Sequence, residues 1–89
     1  MSSSVAVYVF SKPGCKPCQH IKPFLNELRE DYSQYTWMDV DVSADTLVAQ
    51  KMSVTSVPCV VITKNGRETG RFVGTQNLPI LLGLLKNAA

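Results

Sequence analysis

The sequence predicts an α/β fold with the element order βαβαββα, a mixed four-stranded sheet and helices on both faces. Apolar runs rich in β-branched residues alternate with segments whose apolar residues recur at helical spacing. Asn65-Gly66 separates two such runs and is a strong signal for a hairpin turn. At 89 residues and 45% hydrophobic, the chain is expected to form a single domain over residues 1–89 with a small core.

The first half of the chain is predicted to form two strands around a long helix. Val5 to Phe10 is continuously apolar, as expected for a central strand covered on both faces. The connection Ser11 to Gly14 leads into a helix from about Cys18 to Tyr32. Its core face consists of Ile21, Phe24, Leu25, Leu28 and Tyr32. Thr36 to Val42 alternates between apolar and polar residues, which suits a strand nearer an edge.

The second half is predicted to form a short helix, a hairpin and a final helix. Ser43 or Asp45 would cap the short helix, which ends at about Met52. Cys59 to Thr63 and Arg67 to Phe72 flank the hairpin turn. The last helix, capped near Asn77, is expected to bury Leu78, Leu81, Leu82 and Leu85.

Charge and composition exclude several classes of protein. The net charge of +2, from nine basic and seven acidic residues, is too small to indicate binding to nucleic acid or to an anionic membrane. Apolar runs are too short for a membrane-spanning helix. Met1 to Ser4 lacks the features of a signal peptide, so a cytoplasmic location is expected. Three cysteines do not make a disulfide framework.

Cys15-Lys16-Pro17-Cys18 is the motif that carries chemistry. It places two thiols three residues apart at the start of a helix, directly after an apolar strand, which indicates thiol–disulfide exchange. The alternative is half of a zinc site completed by His20 or Cys59, although zinc sites of this kind normally contain two such pairs.

From Val5 to Leu85 the chain resembles thioredoxins, shortened at the N-terminus to a size closer to that of glutaredoxins. The motifs that carry the resemblance are Cys15-Lys16-Pro17-Cys18, Ile21, Pro23, Val57-Pro58, Asn65-Gly66 and Val73-Gly74. The resemblance implies a thioredoxin-like fold with a cis peptide bond at Pro58, opposite the two cysteines. It further implies a substrate groove that contains Gly14, Val57, Pro58, Val73 and Gly74, with Gly74 allowing close approach of a backbone.

The position of the two thiols at a helix start predicts which one attacks the substrate and which one releases it. Unpaired amides and the helix dipole should stabilise a thiolate on Cys15 and lower its pKa, and Lys16 adds a cation. Cys15 is therefore predicted to be the nucleophile and Cys18 the resolving thiol, which leaves a Cys15–Cys18 disulfide. Pro17 resembles the residue found at this place in reductants, so we expect a moderately low redox potential.

Some positions depart from the thioredoxin pattern. Gly14 stands where thioredoxins carry Trp, and Val9 stands where they carry a buried acid. Asp39, on the strand expected beside Val5 to Phe10, is either a substitute proton acceptor or a solvated carboxylate. Cys59 is interpreted as a small core residue, with a thiol open to regulation or dimerisation as the alternative, and His20 as incidental.

The resemblance implies an enzyme, a monomeric protein-disulfide reductase without a bound cofactor. Electrons would come from NADPH through a flavoprotein thioredoxin reductase and pass to protein disulfides, for example in ribonucleotide reductase. The alternative is a glutathione-dependent glutaredoxin. Lys12-Pro13-Gly14 favours it, whereas Val73 to Asn77 lacks the glutathione-binding pattern. Other classes are a non-catalytic binding subunit of the same fold and a metal or iron–sulfur protein.

Overall fold

The computed structural model describes residues 4–89, which form a four-stranded sheet and three helices. In chain order these are β1 (Val5–Ser11), α1 (Lys16–Asp31), β2 (Thr36–Asp41), α2 (Thr46–Lys51), β3 (Cys59–Lys64), β4 (Arg67–Val73) and α3 (Leu78–Ala88). The predicted order βαβαββα is confirmed. No helix in this part of the chain is long and apolar enough to cross a membrane.

The sheet is mixed, and β1 lies inside it as predicted. The strand order is β2-β1-β3-β4. β1 runs parallel to β2 and antiparallel to β3, and β3 pairs antiparallel with β4. In this register Val9 of β1 lies beside Asp39 of β2 and Val60 of β3. The loop that follows β1 therefore leaves from the interior of the sheet.

Both faces of the sheet are covered, which gives two apolar clusters. The larger cluster lies between the sheet and helices α1 and α3, and its fully buried members include Val7, Ile62, Leu81 and Leu85. The smaller cluster lies on the face covered by α2 and contains Phe10, Val40, Ala49, Cys59 and Val61. Helices on both faces were predicted, and this arrangement confirms the prediction.

Two side chains tie distant parts of the chain together. The hydroxyl of Tyr35 donates a 2.7 Å hydrogen bond to the carbonyl of Leu85, inside the larger cluster, and burial raises the pKa of this tyrosine. Arg71 of β4 donates to the carbonyls of Met52 (2.7 Å) and Ser53 (3.1 Å) at the end of α2. The same guanidinium is paired with Glu68.

The sequence misjudged the ends of the helices. Helix α1 begins at Lys16, not near Cys18, because a proline at Pro17 fits the first turn, where its missing N–H has no helical partner. Asp45 and Asn77 occupy the residues before α2 and α3, yet neither side chain makes a capping hydrogen bond. In α3 Leu81 and Leu85 are buried as predicted, whereas Leu78 is half-buried and Leu82 is 37% exposed.

Candidate active site

Cys15 is the residue that caps helix α1. Its backbone is extended, and its Sγ accepts a 3.2 Å hydrogen bond from the amide of Cys18 in the first turn. An amide at this position has no carbonyl partner within the helix, so it is free to donate to sulfur. No acidic residue lies in the first turn of α1. The helix start therefore offers its positive end to the sulfur of Cys15 without competition from a carboxylate.

Cys15 and Cys18 are joined in a disulfide, with Cα atoms 5.3 Å apart. Cys15, at the tip of the helix, is buried, with 7% of its surface exposed, while Cys18 is half-buried. Lys16 and Pro17, between them, are both exposed. The structure is thus the oxidised form, in which the pair has given up two electrons.

Both cysteines line a cavity of about 330 Å³, which we call the α1 cavity. Its buried lining residues are Val9, Phe10, Cys15, Ile21, Leu25 and Pro58. Its exposed lining residues are Lys12, Gln19, Lys22, Asn26 and Asp39, and Arg29 is half-buried beside them. The cavity therefore has an apolar floor and a polar rim that contains three cations and one carboxylate.

The carboxylate on this rim, Asp39, is held in place by Arg29. The guanidinium of Arg29 donates a hydrogen bond to Asp39 and lies 5.5 Å from the centre of the Trp37 ring. The side chain of Asp39 remains 67% exposed. The structure thus places Asp39 at the mouth of the cavity that holds Cys18, and not in the buried position next to it, which belongs to Val9.

A second cavity of about 420 Å³, the proline groove, shares Pro58 with the α1 cavity. Its lining residues are Pro17, Val57, Pro58, Val73, Gly74, Thr75, Gln76 and Asn77. The Val57–Pro58 peptide bond is cis, and the amide of Gly74 donates a 2.9 Å hydrogen bond to the carbonyl of Pro58. Because Pro58 lines both cavities, the groove and the cysteine pair are neighbours.

Four of the five residues assigned to the substrate groove from the sequence come together in the proline groove. Gly14 does not, because it lies exposed in the loop before α1 and lines neither cavity. Gly74 has a φ of +90°, and a Cβ added there would meet nothing within 4 Å. Its left-handed backbone, and not a close contact with the protein, explains the glycine.

Sequence reasoning missed the basic rim of the α1 cavity. Lys22 and Arg29 were not assigned to the site, although helical spacing places Lys22 one turn after Cys18 on the same side of α1. Lys12 was considered only as part of a loop resembling that of glutaredoxins. The spacing along α1 could have identified Lys22, whereas Asp39 reaches the cavity through the pairing of β1 with β2.

Cys59 and His20 do not join the cysteine pair. Cys59 is 1% exposed, unpaired, and packed in the cluster on the α2 face, and burial raises the pKa of its thiol. This location agrees with its interpretation as a core residue. His20 is exposed on α1. Within residues 4–89, no group of three or more His, Cys, Asp or Glu side chains is placed to hold a metal ion.

Fold and site together define a thiol–disulfide oxidoreductase. A pair of cysteines lies at the start of a helix that follows a central strand, and a cis-proline lines the same cavity. The thioredoxin family model matches residues 1–87, and the chain belongs to the thioredoxin family.

Known thioredoxins cover most of the chain. It is 32% identical to thioredoxin-2 of Saccharomyces cerevisiae over 83 residues, which is 93% of this chain and 80% of that protein. It is 37% identical to the thioredoxin of Sus scrofa over 70 residues, which is 79% of this chain and 67% of that protein. Among solved structures, the reduced thioredoxin of Schistosoma mansoni superposes with a TM-score of 0.88 at 28% identity, over 97% of this chain and 80% of that one. The protein is thus a protein-disulfide reductase of the thioredoxin type.

Proposed function

We propose that this protein carries electrons from an NADPH-dependent flavoprotein thioredoxin reductase to disulfides of cytoplasmic proteins, with Cys15 as nucleophile and Cys18 as resolving thiol. The observation that carries the assignment of roles is the hydrogen bond from the Cys18 amide to the Sγ of Cys15. A sulfur that accepts a helix-start amide is stabilised as a thiolate, and the thiolate is the attacking form.

The first half of the reaction opens the substrate disulfide. The Cys15 thiolate attacks one sulfur of the substrate, a mixed disulfide forms, and the other substrate sulfur leaves as a thiolate that takes a proton from water. Pro58 and Gly74, at the groove beside Cys15, would position an extended segment of the substrate. Val57 and Val73 supply the apolar walls of this groove.

The second half releases the substrate. Cys18 loses its proton and attacks the Sγ of Cys15, the substrate leaves as its second thiolate, and the protein is left with the Cys15–Cys18 disulfide seen in the structure. Two electrons have then passed from the dithiol to the substrate. The reductase restores the dithiol by running the same exchange in reverse.

Asp39 is the group proposed to accept the proton of Cys18. It is the carboxylate found among the residues that line the α1 cavity, which Cys18 also lines. Water takes up about 30 Å³ per molecule, so a cavity of about 330 Å³ has room for several molecules that could relay a proton. Val9, which pairs with Asp39 in the sheet, has no titratable group to offer.

A coupled assay tests the proposed electron source. With NADPH and thioredoxin reductase, the protein should reduce insulin disulfides, and the Cys15→Ser, Cys18→Ser double variant should not. Turnover with glutathione and glutathione reductase but none with thioredoxin reductase would contradict the proposal. Equal biological activity of the double variant and the parent would instead indicate a binding subunit.

Location and target need separate tests. The proposed cytoplasmic location would be tested by fractionation of cells that express the tagged chain. Ribonucleotide reductase is a candidate target because its turnover oxidises a pair of thiols. Sustained deoxyribonucleotide formation in the presence of the dithiol form would support it, and a single turnover only would contradict it.

A further inference from the structure

Positive and negative charges are separated along this chain. Six of the seven acidic residues fall within residues 27–45, whereas residues 12–22 contain Lys12, Lys16 and Lys22 and no acid. The basic segment includes the two cysteines. In the fold, β2 brings Asp39 and Asp41 back beside Val9 and Ser11 of β1, so the partners of these two acids decide whether the lysine charges are compensated.

Two of the three lysines line the same cavity as the cysteine pair, and the third follows Cys15 in the sequence. Lys12 and Lys22 lie on the exposed rim of the α1 cavity, and Lys16 is exposed directly after Cys15. The ion pairs found within residues 4–89 are Arg29–Asp39 and Arg71–Glu68, so none of the three lysines is in an ion pair there. Asp39 is already paired with Arg29, and Asp41 accepts hydrogen bonds from Ser43, so neither acid forms an ion pair with one of the three lysines.

The proline groove and the α1 cavity differ in the charge of their lining residues. The proline groove is lined by apolar and uncharged polar residues, which suits an extended backbone but does not select for charge. The α1 cavity has an apolar floor beneath charged residues. A substrate whose sulfur is bonded to Cys15 would extend along the proline groove and reach the lysines at the rim of the α1 cavity.

We infer that Lys12 and Lys22 form a recognition site for carboxylates next to the substrate disulfide, so that the protein prefers acidic disulfides. The inference rests on the proposed function, because it requires the substrate sulfur to bind at Cys15. Each lysine is exposed, so each ion pair with the substrate should change kcat/KM by about threefold, or about tenfold for both together. Attraction at a distance should also raise the association rate at low salt.

Matched substrates test the preference. Three disulfide peptides that differ only in having Glu, Gln or Lys beside the cysteine are compared in the parent protein at low and high ionic strength. The Glu peptide should have a kcat/KM about tenfold above that of the Lys peptide at low salt, and the difference should shrink near about 1 M salt, where the screening length is about 3 Å.

Reversing the charges of Lys12 and Lys22 tests whether these two lysines cause the preference for acidic peptides. The Lys12→Glu, Lys22→Glu variant should invert the order of the peptides, while Lys86→Glu, the same kind of change on the distant last turn of α3, should leave the order intact. Oxidised glutathione, assayed separately, distinguishes small carboxylate disulfides from peptide ones. An effect of the double variant on both types assigns the site to carboxylates of either source, and an effect on peptides alone assigns it to protein substrates.

Two results would overturn the inference. One is equal kcat/KM for the Glu and Lys peptides in the parent. The other is a change of peptide order in Lys86→Glu as large as in the double variant, which would show an effect of net charge and not of the site. If the parent reduces none of the peptides, the proposed function itself fails, so the two failures are distinguishable.

Discussion

The amide of Cys18, the proposed resolving residue, donates a hydrogen bond to the Sγ of Cys15, the proposed nucleophile. The donor is a backbone amide, and replacing the Cys18 side chain leaves it in place. Cys18→Ser should therefore still attack a substrate and remain trapped as a mixed disulfide through Cys15. Mass spectrometry after incubation with a disulfide peptide would detect the adduct. Cys15→Ser is the matched control, and adduct formation through Cys18 in that variant would reverse the assigned roles.

Asp39 provides a test based on pH. Asp39→Asn removes the proposed proton acceptor, so release of the substrate from the mixed disulfide should slow by about 100-fold near neutral pH. The difference should shrink as the pH rises from neutral to about 10, because hydroxide then removes the proton of Cys18 without help from a carboxylate. Stopped-flow measurement of release over this pH range would show the effect. Asp41→Asn, on the same strand, is the control, and identical profiles for both variants and the parent would exclude the role of Asp39.

Tyr35 offers a test of the packing of α3. Its hydroxyl bonds to the carbonyl of Leu85 in the core, and Tyr35→Phe leaves that buried carbonyl without its partner. We expect a loss of about 1–2 kcal/mol in the free energy of unfolding. Tyr32→Phe is the control, since the Tyr32 ring stacks on that of Tyr35 but no hydrogen bond of its hydroxyl is found within residues 4–89. Urea unfolding should separate the two variants, and equal losses would contradict the expectation.

Glu68 should make stability depend on acid pH. Its hydrogen bond with Arg71 lowers the pKa of the carboxyl in the folded state. A lowered folded pKa means that the stabilisation is fully present above the unfolded value of about 4.3 and is lost as the pH falls through the folded value. The pair is partly exposed, so the effect should be at most about 1 kcal/mol.

Unfolding of the parent and of Glu68→Gln between about pH 6 and pH 2 would measure this contribution. The parent should lose more stability over the interval than Glu68→Gln does. Glu30→Gln, an exposed acid of α1, is the control and should follow the parent. Parallel curves for Glu68→Gln and the parent would show that the pair adds nothing.

Cys59 should be chemically silent in the folded protein. It is 1% exposed, and burial raises the pKa of its thiol, so little thiolate is available for alkylation. Iodoacetamide should leave the oxidised protein unlabelled under native conditions and add one group after unfolding. Cys59→Ala should retain disulfide reduction at the parent's rate. Rapid native labelling would instead support the alternative of a regulatory thiol.

The elements with strong local signals were predicted well. The apolar run from Val5 to Phe10 gave β1, and Asn65-Gly66 gave the hairpin, where both residues have the positive φ that the turn requires. The cysteine motif was placed at a helix start from its sequence context alone. These features depend on residues close together in the chain, which is why a sequence can reveal them.

The α1 cavity depends on contacts between distant residues and was harder to predict. Asp39 reaches it because β2 pairs in parallel with β1, and Pro58 closes it from the loop before β3. Ser43 or Asp45 was expected to cap α2, and a residue near Asn77 to cap α3. Asp45 and Asn77 do precede these helices, but neither side chain makes a capping hydrogen bond. A side chain makes a capping hydrogen bond only if its rotamer and the preceding loop allow it. The residue type does not determine either of these.

The position of β1 between two hydrogen-bonded neighbours has a consequence for repeated turnover. A strand paired along both edges exchanges its amide hydrogens only through rare, extensive opening of the sheet, so it belongs to the most protected part of the backbone. The loop that carries the cysteines begins where this strand ends. The cysteines can therefore be oxidised and reduced many times at the end of a stable strand, while the backbone amides of β1 stay protected from solvent.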